Sequence, residues 1–389
     1  MRRIDVAPRP NLDQRIKEAG FDFAFIRGET YWDESAYYSF TLNQIEHDLE
    51  AASSELTALC LDFVQHAVRD EHILSRLGIP SIMWDLIAES WRRSDPSLYG
   101  RFDLAYDGKN SAKLLEYNAD TPAVLFETSV FQWFWLEDSI AQTLIPNSSD
   151  QFNSIHDALL SAFSTLKKTL SINTIHLTCM MRKTEDRRLI AYLADVASQS
   201  DLSVKQLNIT EVGTTGKGPF LDLQNEPIEI LFKFYPWEWM WRDIFIRSPS
   251  MQKTRFLEPP WKAILSNKGI LPLLWAKEPK HPNLLPSYFE DDPARANLSG
   301  RYVRKPIFSR EGHNVTIIEN NRIVDCTYGP YQSGPHVLQA LATISSFSGN
   351  FPVIGSWIVS GKPCGIGIRE DKSLIIRDRS RFIPHVIID

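Results

Sequence analysis

The chain has 389 residues, 43% hydrophobic and 23% charged, which excludes global disorder and allows one large core or about two to three smaller ones. A net charge of -6 lacks the cation excess that polyanion binding draws on, so nucleic acid is not an expected partner. No apolar run reaches the roughly 18 residues of a membrane span, and the opening MRRIDVAPRPNLDQRIKEAG has no apolar signal core, so a cytoplasmic protein without a membrane partner is expected.

In chain order, residues 1–40 combine a short helical pattern with an aromatic-rich segment from Tyr31 to Tyr38, expected to pack against a neighbour. Apolar residues at spacings of three and four (Ile45, Leu49, Ala52, Leu56, Leu59, Phe63) predict a long helix over 42–68, and a second helix is expected over 82–92. Next comes RFDLAYDGKNSAKLLEYNADTPA, residues 101–123, where Asp107-Gly108 signals a hairpin between two half-apolar strands. With a loop of two or four residues, Arg101 and Asp103 share a face with Glu116 and Asn118, whereas a loop of three splits them. On one face, three oxygen-bearing side chains beside an arginine could hold a hard divalent cation and grip a phosphate or carboxylate. The alternative is a surface hairpin carrying an Arg–carboxylate pair.

Asp120 and Thr121 are expected to cap an aromatic helix over 124–144. A helix over 152–170, a strand over 174–180, a charged loop, a helix over 187–197 and a strand near 204–207 follow the rhythm of an α/β layer. GTTGKG at 213–218 lacks phosphate-loop spacing and is expected to be a flexible turn. Lys233 lies inside the apolar strand 228–235 and must pair or snorkel. Pro236 opens a short aromatic helix, Pro259-Pro260 is a candidate hinge, and 283–297 is expected to be a surface loop joining two lobes. Strands are then expected over 301–308, 315–319, 322–325, 337–341, 352–358 and 364–369. Lys305, ahead of the turn 309–312, suits phosphate binding, or else is an edge-strand lysine in water. Cys60, Cys179, Cys326 and Cys364 are far apart in apolar contexts and are expected to be buried reduced thiols, and the nine histidines show no HExxH or H-x-H arrangement, so oxygen ligands are the expected metal chemistry.

The segments SLYGRFDLAYDG, LLEYNADTP, FKFYPWEW, SNKGILPLLW, VRKPIFSREG and GIGIRED, in that order along nearly the whole chain, resemble the synthetase part of the glutathionylspermidine synthase family of acid–amine ligases, and especially its short stand-alone bacterial members. The resemblance implies an α/β (α+β) fold, an ATP-grasp-like synthetase with mixed sheets flanked by helices. It would form a single unit with a pre-ATP-grasp and substrate part near 1–250, a nucleotide-binding part near 251–389, and no amidase domain. It implies ATP and Mg2+ as cofactors, small-molecule acid and amine substrates, and an amide made through an acyl phosphate. Asp103, Glu116 and Asn118 would coordinate magnesium, and Arg101 would stabilise the transferring phosphoryl group. Lys268 and Lys305 would contact phosphates, Gln339 would lie near the adenine, and Arg369 would hold the γ-phosphate and developing charge. Thr121 falls in the acid-substrate region, Glu185 is the candidate amine-binding acid, and Ala123 stands where glutathione-using members have a second serine. Segments 213–219 and 309–312 are the candidate lids. The rival readings are an ATP-binding or phosphotransfer protein without ligase activity, and a hydrolase using Asp103 and Glu116. The last is disfavoured because Arg101 would hold both carboxylates ionised.

Overall fold

The computed structural model describes residues 1–388, in which three sheets of four or five strands frame the candidate site. The central sheet is antiparallel, in the order Arg381–Ile383, Lys362–Asp371, Phe351–Val359, Tyr99–Ala105, Lys113–Asn118. The predicted hairpin is therefore one side of this sheet. Its connection, residues 106–112, is longer than the loops considered above and sets Ala105 opposite Lys113 and Leu104 opposite Leu114. Continued without interruption, that register would split the four polar residues between faces. A bulge between Asp103 and Leu104 leaves Leu115 as the extra residue and puts Asp103 opposite Glu116 and Arg101 opposite Asn118. On the other face Phe102 stacks on Tyr117 at 4.0 Å and packs with Leu56 and Val64 of the predicted long helix, observed as a π-helical turn and Ala51–Ala67.

The second sheet is parallel, in the order Arg255–Leu257, Ile230–Phe234, Thr174–Cys179, Ser203–Asn208. Its two inner strands, Ile230–Phe234 and Thr174–Cys179, are buried almost throughout, as coverage of both faces requires, whereas the edge strand Ser203–Asn208 is largely polar and only Leu207 of it is buried. Helices Ile155–Leu170 and Thr184–Gln199 bury Leu159, Phe163, Ile190 and Leu193 in the same core as this sheet. Lys233 is paired, at 2.6 Å from Asp120, with both side chains fully buried. That pairing overturns the expected cap. Asp120 also accepts from the Trp237 backbone N–H at 2.8 Å, and the helical segment after it, Glu127–Phe131 and then Gln132–Ala141, begins without a side-chain cap.

The third sheet is antiparallel, in the order Ser287–Phe289, His336–Ala340, Arg301–Pro306, Thr316–Glu319, Arg322–Cys326. Its first strand lies in the expected surface loop 283–297, where Asn283 and Ser287 are buried and Asn283 donates to the Ala112 carbonyl at 2.8 Å. Pro259-Pro260 is pinned instead of hinged: both prolines are buried, and the Glu258 carboxylate accepts from the backbone N–H groups of Leu98 and Tyr99 at 3.0 Å each and pairs with Lys262 at 3.0 Å. Cys60, Cys179 and Cys364 are buried, whereas Cys326, at the end of an edge strand, is half-buried. The central sheet takes strands from both sides of residue 250. The chain's two ends also meet, with Ala36–Phe40 pairing to Arg2–Asp5 on one side and to His385–Ile387 on the other. Among the described residues no helix is long and apolar enough to cross a membrane.

Candidate functional site

The polar face of the hairpin lines a cavity of about 260 Å³ that is walled by residues of both the central and the third sheet. Arg101 grips the Asp103 carboxylate with two bonds, Nε at 2.6 Å and Nη2 at 3.0 Å, and its Nη1 donates to the Ala123 carbonyl at 2.6 Å. The Asn118 amide nitrogen bridges the carboxylates of Asp103, at 3.2 Å, and Glu116, at 3.0 Å. Lys268 closes on Glu116 at 3.0 Å and on the Ser309 carbonyl at 2.7 Å. From the third sheet, Lys305 donates to the Gln339 side-chain oxygen at 2.8 Å and to the Leu115 carbonyl at 3.1 Å. Arg369 donates through Nη2 to the carbonyls of Asp378 and Ser380, at 2.8 and 3.0 Å, and lies 5.8 Å from the ring of Tyr31, which is where the aromatic-rich segment reaches the site.

Of the site residues that the family resemblance implies, all except Glu185 line this one cavity. Glu185 is exposed in the first turn of Thr184–Gln199, and it is the next residue, Asp186, that lines the cavity. Burial raises Asp186 to about 6, against the pull of Lys183. The segment 309–312 also lines the cavity, but 213–219 does not. Gly213 and Leu221 exchange backbone bonds at 2.9 and 2.8 Å, and Ser250 donates to the Gly218 carbonyl at 2.7 Å, so that loop is tied down elsewhere.

The two hairpin carboxylates sit in opposed electrostatic settings. Burial acts to raise Glu116, but Lys268 and Lys305 outweigh it and hold the carboxyl at about 2. Burial raises Asp103 above the ordinary carboxylate value even though Arg101 opposes it, so the expectation that Arg101 would keep both carboxylates low is not met there. Burial lowers the Lys305 ammonium to about 8, with Glu116 opposing.

Two carboxylates and an amide carbonyl make an oxygen-only donor set that suits a hard cation. No hydrogen bond ends on the Asn118 Oδ1 among the described residues. No group of three His, Cys, Asp or Glu side chains that could hold a metal occurs among the described residues, so further oxygens, such as phosphate or water, would have to complete the shell. Away from this polar end the cavity is lined by Val303, Val315, Ile317, Leu341 and Ile375, a slot that a flat apolar group would fill.

Several residues in or directly behind the cavity wall were not singled out from the sequence. Arg310 donates through Nε and Nη2 to Glu238 at 3.0 and 2.7 Å and through Nη1 to the Thr121 hydroxyl at 2.7 Å. Its signal was the predicted turn that contains it, whereas Glu238 sat in an aromatic stretch with no spacing to mark it. Gly355 lies opposite Asp103 in the next strand, and a Cβ there would stand 2.7 Å from the Arg101 Cδ. No sequence pattern reports that contact.

The family described as glutathionylspermidine synthase preATP-grasp matches residues 3–388. A Haemophilus influenzae protein provisionally named an acid–amine ligase is 39% identical over 402 residues, which cover 100% of each chain. Trypanothione synthetase of Crithidia fasciculata is 27% identical over 367 residues, covering 86% of this chain and 55% of that protein. The bifunctional glutathionylspermidine synthetase/amidase of Escherichia coli is 23% identical over 383 residues, covering 92% of this chain and 60% of its own length. A glutathione synthetase-like effector from Globodera pallida shares the fold, with a TM-score of 0.60 at 11% identity and 98% of each chain covered. A match along almost the whole chain and a full-length relative at 39% identity together mean that this protein belongs to the glutathionylspermidine synthase preATP-grasp family.

Proposed function

We propose that the protein is an ATP- and Mg2+-dependent ligase that joins a carboxylate to an amine through an acyl phosphate, with a peptide or amino-acid acid and an amine or polyamine as substrates. The observation that carries this reading is the polar end of the cavity. There the Asp103–Glu116–Asn118 oxygen face, Arg101 and two lysines from separate elements converge beside an apolar slot. The relatives' names, acid–amine ligase and trypanothione synthetase, support it.

A carboxylate acylates an amine poorly until one of its oxygens leaves as phosphate. Phosphoryl transfer in turn asks the protein for position and charge neutralisation more than for covalent help. Asp103, Glu116 and Asn118 would hold the magnesium, which when bound neutralises and orients the nucleotide phosphates. Arg101 is fixed in advance by Asp103 and the Ala123 carbonyl, so little reorganisation remains as charge develops. Lys268 and Lys305 would contact phosphate in the ground state, and Arg369 has Nη1 left for an anion once Nε and Nη2 are spent on carbonyls. Thr121, with Arg310 held on Glu238, would face the acid substrate. Asp186, ionised at neutral pH with its value at about 6, would attract the cationic amine in place of Glu185.

The test is a screen of acid and amine pairs with Mg-ATP, following nucleotide and amide together. The expected products are ADP, phosphate and one new amide per phosphate. Release of AMP and pyrophosphate would overturn the acyl-phosphate route, and ADP without amide would favour the phosphotransfer reading.

A further inference from the structure

Gln339 falls in the region that the family resemblance places near the adenine, but its side chain is buried and both of its polar atoms are already bonded within the protein. It is 1% exposed, its Oε1 accepts from the Lys305 ammonium at 2.8 Å, and its Nε2 donates to the Leu114 carbonyl at 3.0 Å. The amide cannot be flipped, because its N–H groups would then face an ammonium and its oxygen a carbonyl. The Lys305 ammonium has three N–H donors. Gln339 and the Leu115 carbonyl take two of them, at 2.8 and 3.1 Å, which leaves one for the cavity.

Both carbonyls belong to the hairpin of the central sheet, at its bulge, whereas Lys305 and Gln339 come from neighbouring strands of the third sheet, with Lys305 paired to Val337 and Val303 to Gln339. These bonds therefore span the cleft between the two walls. The bulge puts Glu116 and Asn118 on the cavity face, and its extra residue, Leu115, also supplies a carbonyl to the lysine.

We infer that Gln339 is a positioning residue that holds the Lys305 ammonium against the Leu115 bulge with one N–H left for the cavity, and that it does not read the base. Assigning that last N–H to a nucleotide phosphate rests on the ligase reading above. The hold on Lys305 itself does not.

The test separates the two. Nucleotide-free protein is treated with cyanate, and carbamylation of Lys305 is followed by peptide mass spectrometry in the natural protein, Gln339→Leu and Gln339→Glu. Losing a bond to a charged group should raise the Lys305 rate roughly tenfold in Gln339→Leu, since both the acceptor that favours the ammonium and the restraint on the side chain are gone. Gln339→Glu still offers an acceptor and should keep the rate at or below that of the natural protein. Comparing carbamylation at surface Lys362 in each variant removes any general loosening of the fold from the readout. An unchanged relative Lys305 rate in Gln339→Leu would overturn the positioning role. In the same variants the KM for ATP should rise roughly tenfold in Gln339→Leu while the ratio of ATP to GTP use stays as in the natural protein. A changed ratio would overturn the claim that Gln339 does not read the base. If the natural protein turns over no ATP, the ligase reading falls, and the labelling still decides the role of Gln339.

Discussion

Arg101 is both partner and candidate catalyst, which decides how it should be tested. Removing a buried ion-pair partner typically costs about 3–5 kcal/mol because the other charge is stranded, so Arg101→Ala would mix lost folding with lost chemistry. Arg101→Lys keeps the charge beside Asp103 but not the two-pronged grip or the bond to Ala123. It should cut kcat by roughly 10²–10³ and change the KM for ATP by less than about threefold, as steady-state kinetics at saturating acid and amine would show. Gly355 makes the complementary case. Its Cβ would press on the Arg101 Cδ at 2.7 Å, so Gly355→Ala should fold with its melting temperature within a few degrees of the natural value while kcat falls at least about tenfold through a displaced guanidinium. An unaffected kcat in Gly355→Ala would show that the position of Arg101 does not limit turnover.

Among the elements, the hairpin shows how a local irregularity can decide chemistry. Residues 106–112 are too long to impose a register, so the faces follow packing: Phe102 and Leu104 bury, and the bulge absorbs the mismatch. The turn 309–312 is held from several sides, by Arg310 on Glu238, by Glu311 on Lys183 at 3.5 Å, and by the close approach of Gly312 to another loop. Gly312 has φ +68°, and a Cβ there would fall 2.1 Å from the Ile376 carbonyl oxygen, a backbone atom that cannot step aside cheaply. Gly312→Ala should therefore part the two loops over the cavity. Limited proteolysis should cut the variant faster at 309–312, and turnover should drop at least about tenfold as water enters, with the remainder of the fold protected. Proteolysis at the natural rate would mean that the contact is not what holds the turn.

Across the whole molecule, the closing strand His385–Ile387 carries a group that sets acid stability. The His385 ring accepts from the Phe152 backbone N–H through Nε2 at 3.1 Å, and its Nδ1 lies 3.1 Å from the Gln132 Oε1, an arrangement that requires the neutral ring. Burial pushes it down to about 3. Because the unfolded chain takes up this proton near pH 6.5 and the folded one does not until far lower, stability is complete above about pH 6.5 and declines as pH falls towards the folded value. The contribution lost by pH 4 should be on the order of 3 kcal/mol. Urea titrations at pH 7 and pH 4 should show a smaller acid loss in His385→Asn than in the natural protein, and equal losses would assign the acid sensitivity to other groups.

The sequence alone determined whatever depends on neighbours in the chain. Period-two alternation marked the hairpin strands, spacings of three and four marked the long helix, and an apolar run around Lys233 demanded a partner. The ordered motifs placed Arg101, Asp103, Glu116, Asn118, Thr121, Lys268, Lys305, Gln339 and Arg369, all of which line one cavity. The tertiary structure decided what depends on atoms distant in the chain. Asp120 became the partner of Lys233 in preference to capping a helix, because stranding a buried ammonium costs more than leaving a helix end without a side-chain cap. Asp186 took the cavity position expected of Glu185, because helix rotation selects which of two adjacent acids faces inward. Gly355 and Gly312 matter through closeness to Arg101 and Ile376, and Gln339 through a bond to Lys305 across paired strands. Local pattern reports backbone conformation and burial, whereas the partner of a buried polar group is set only when distant segments pack.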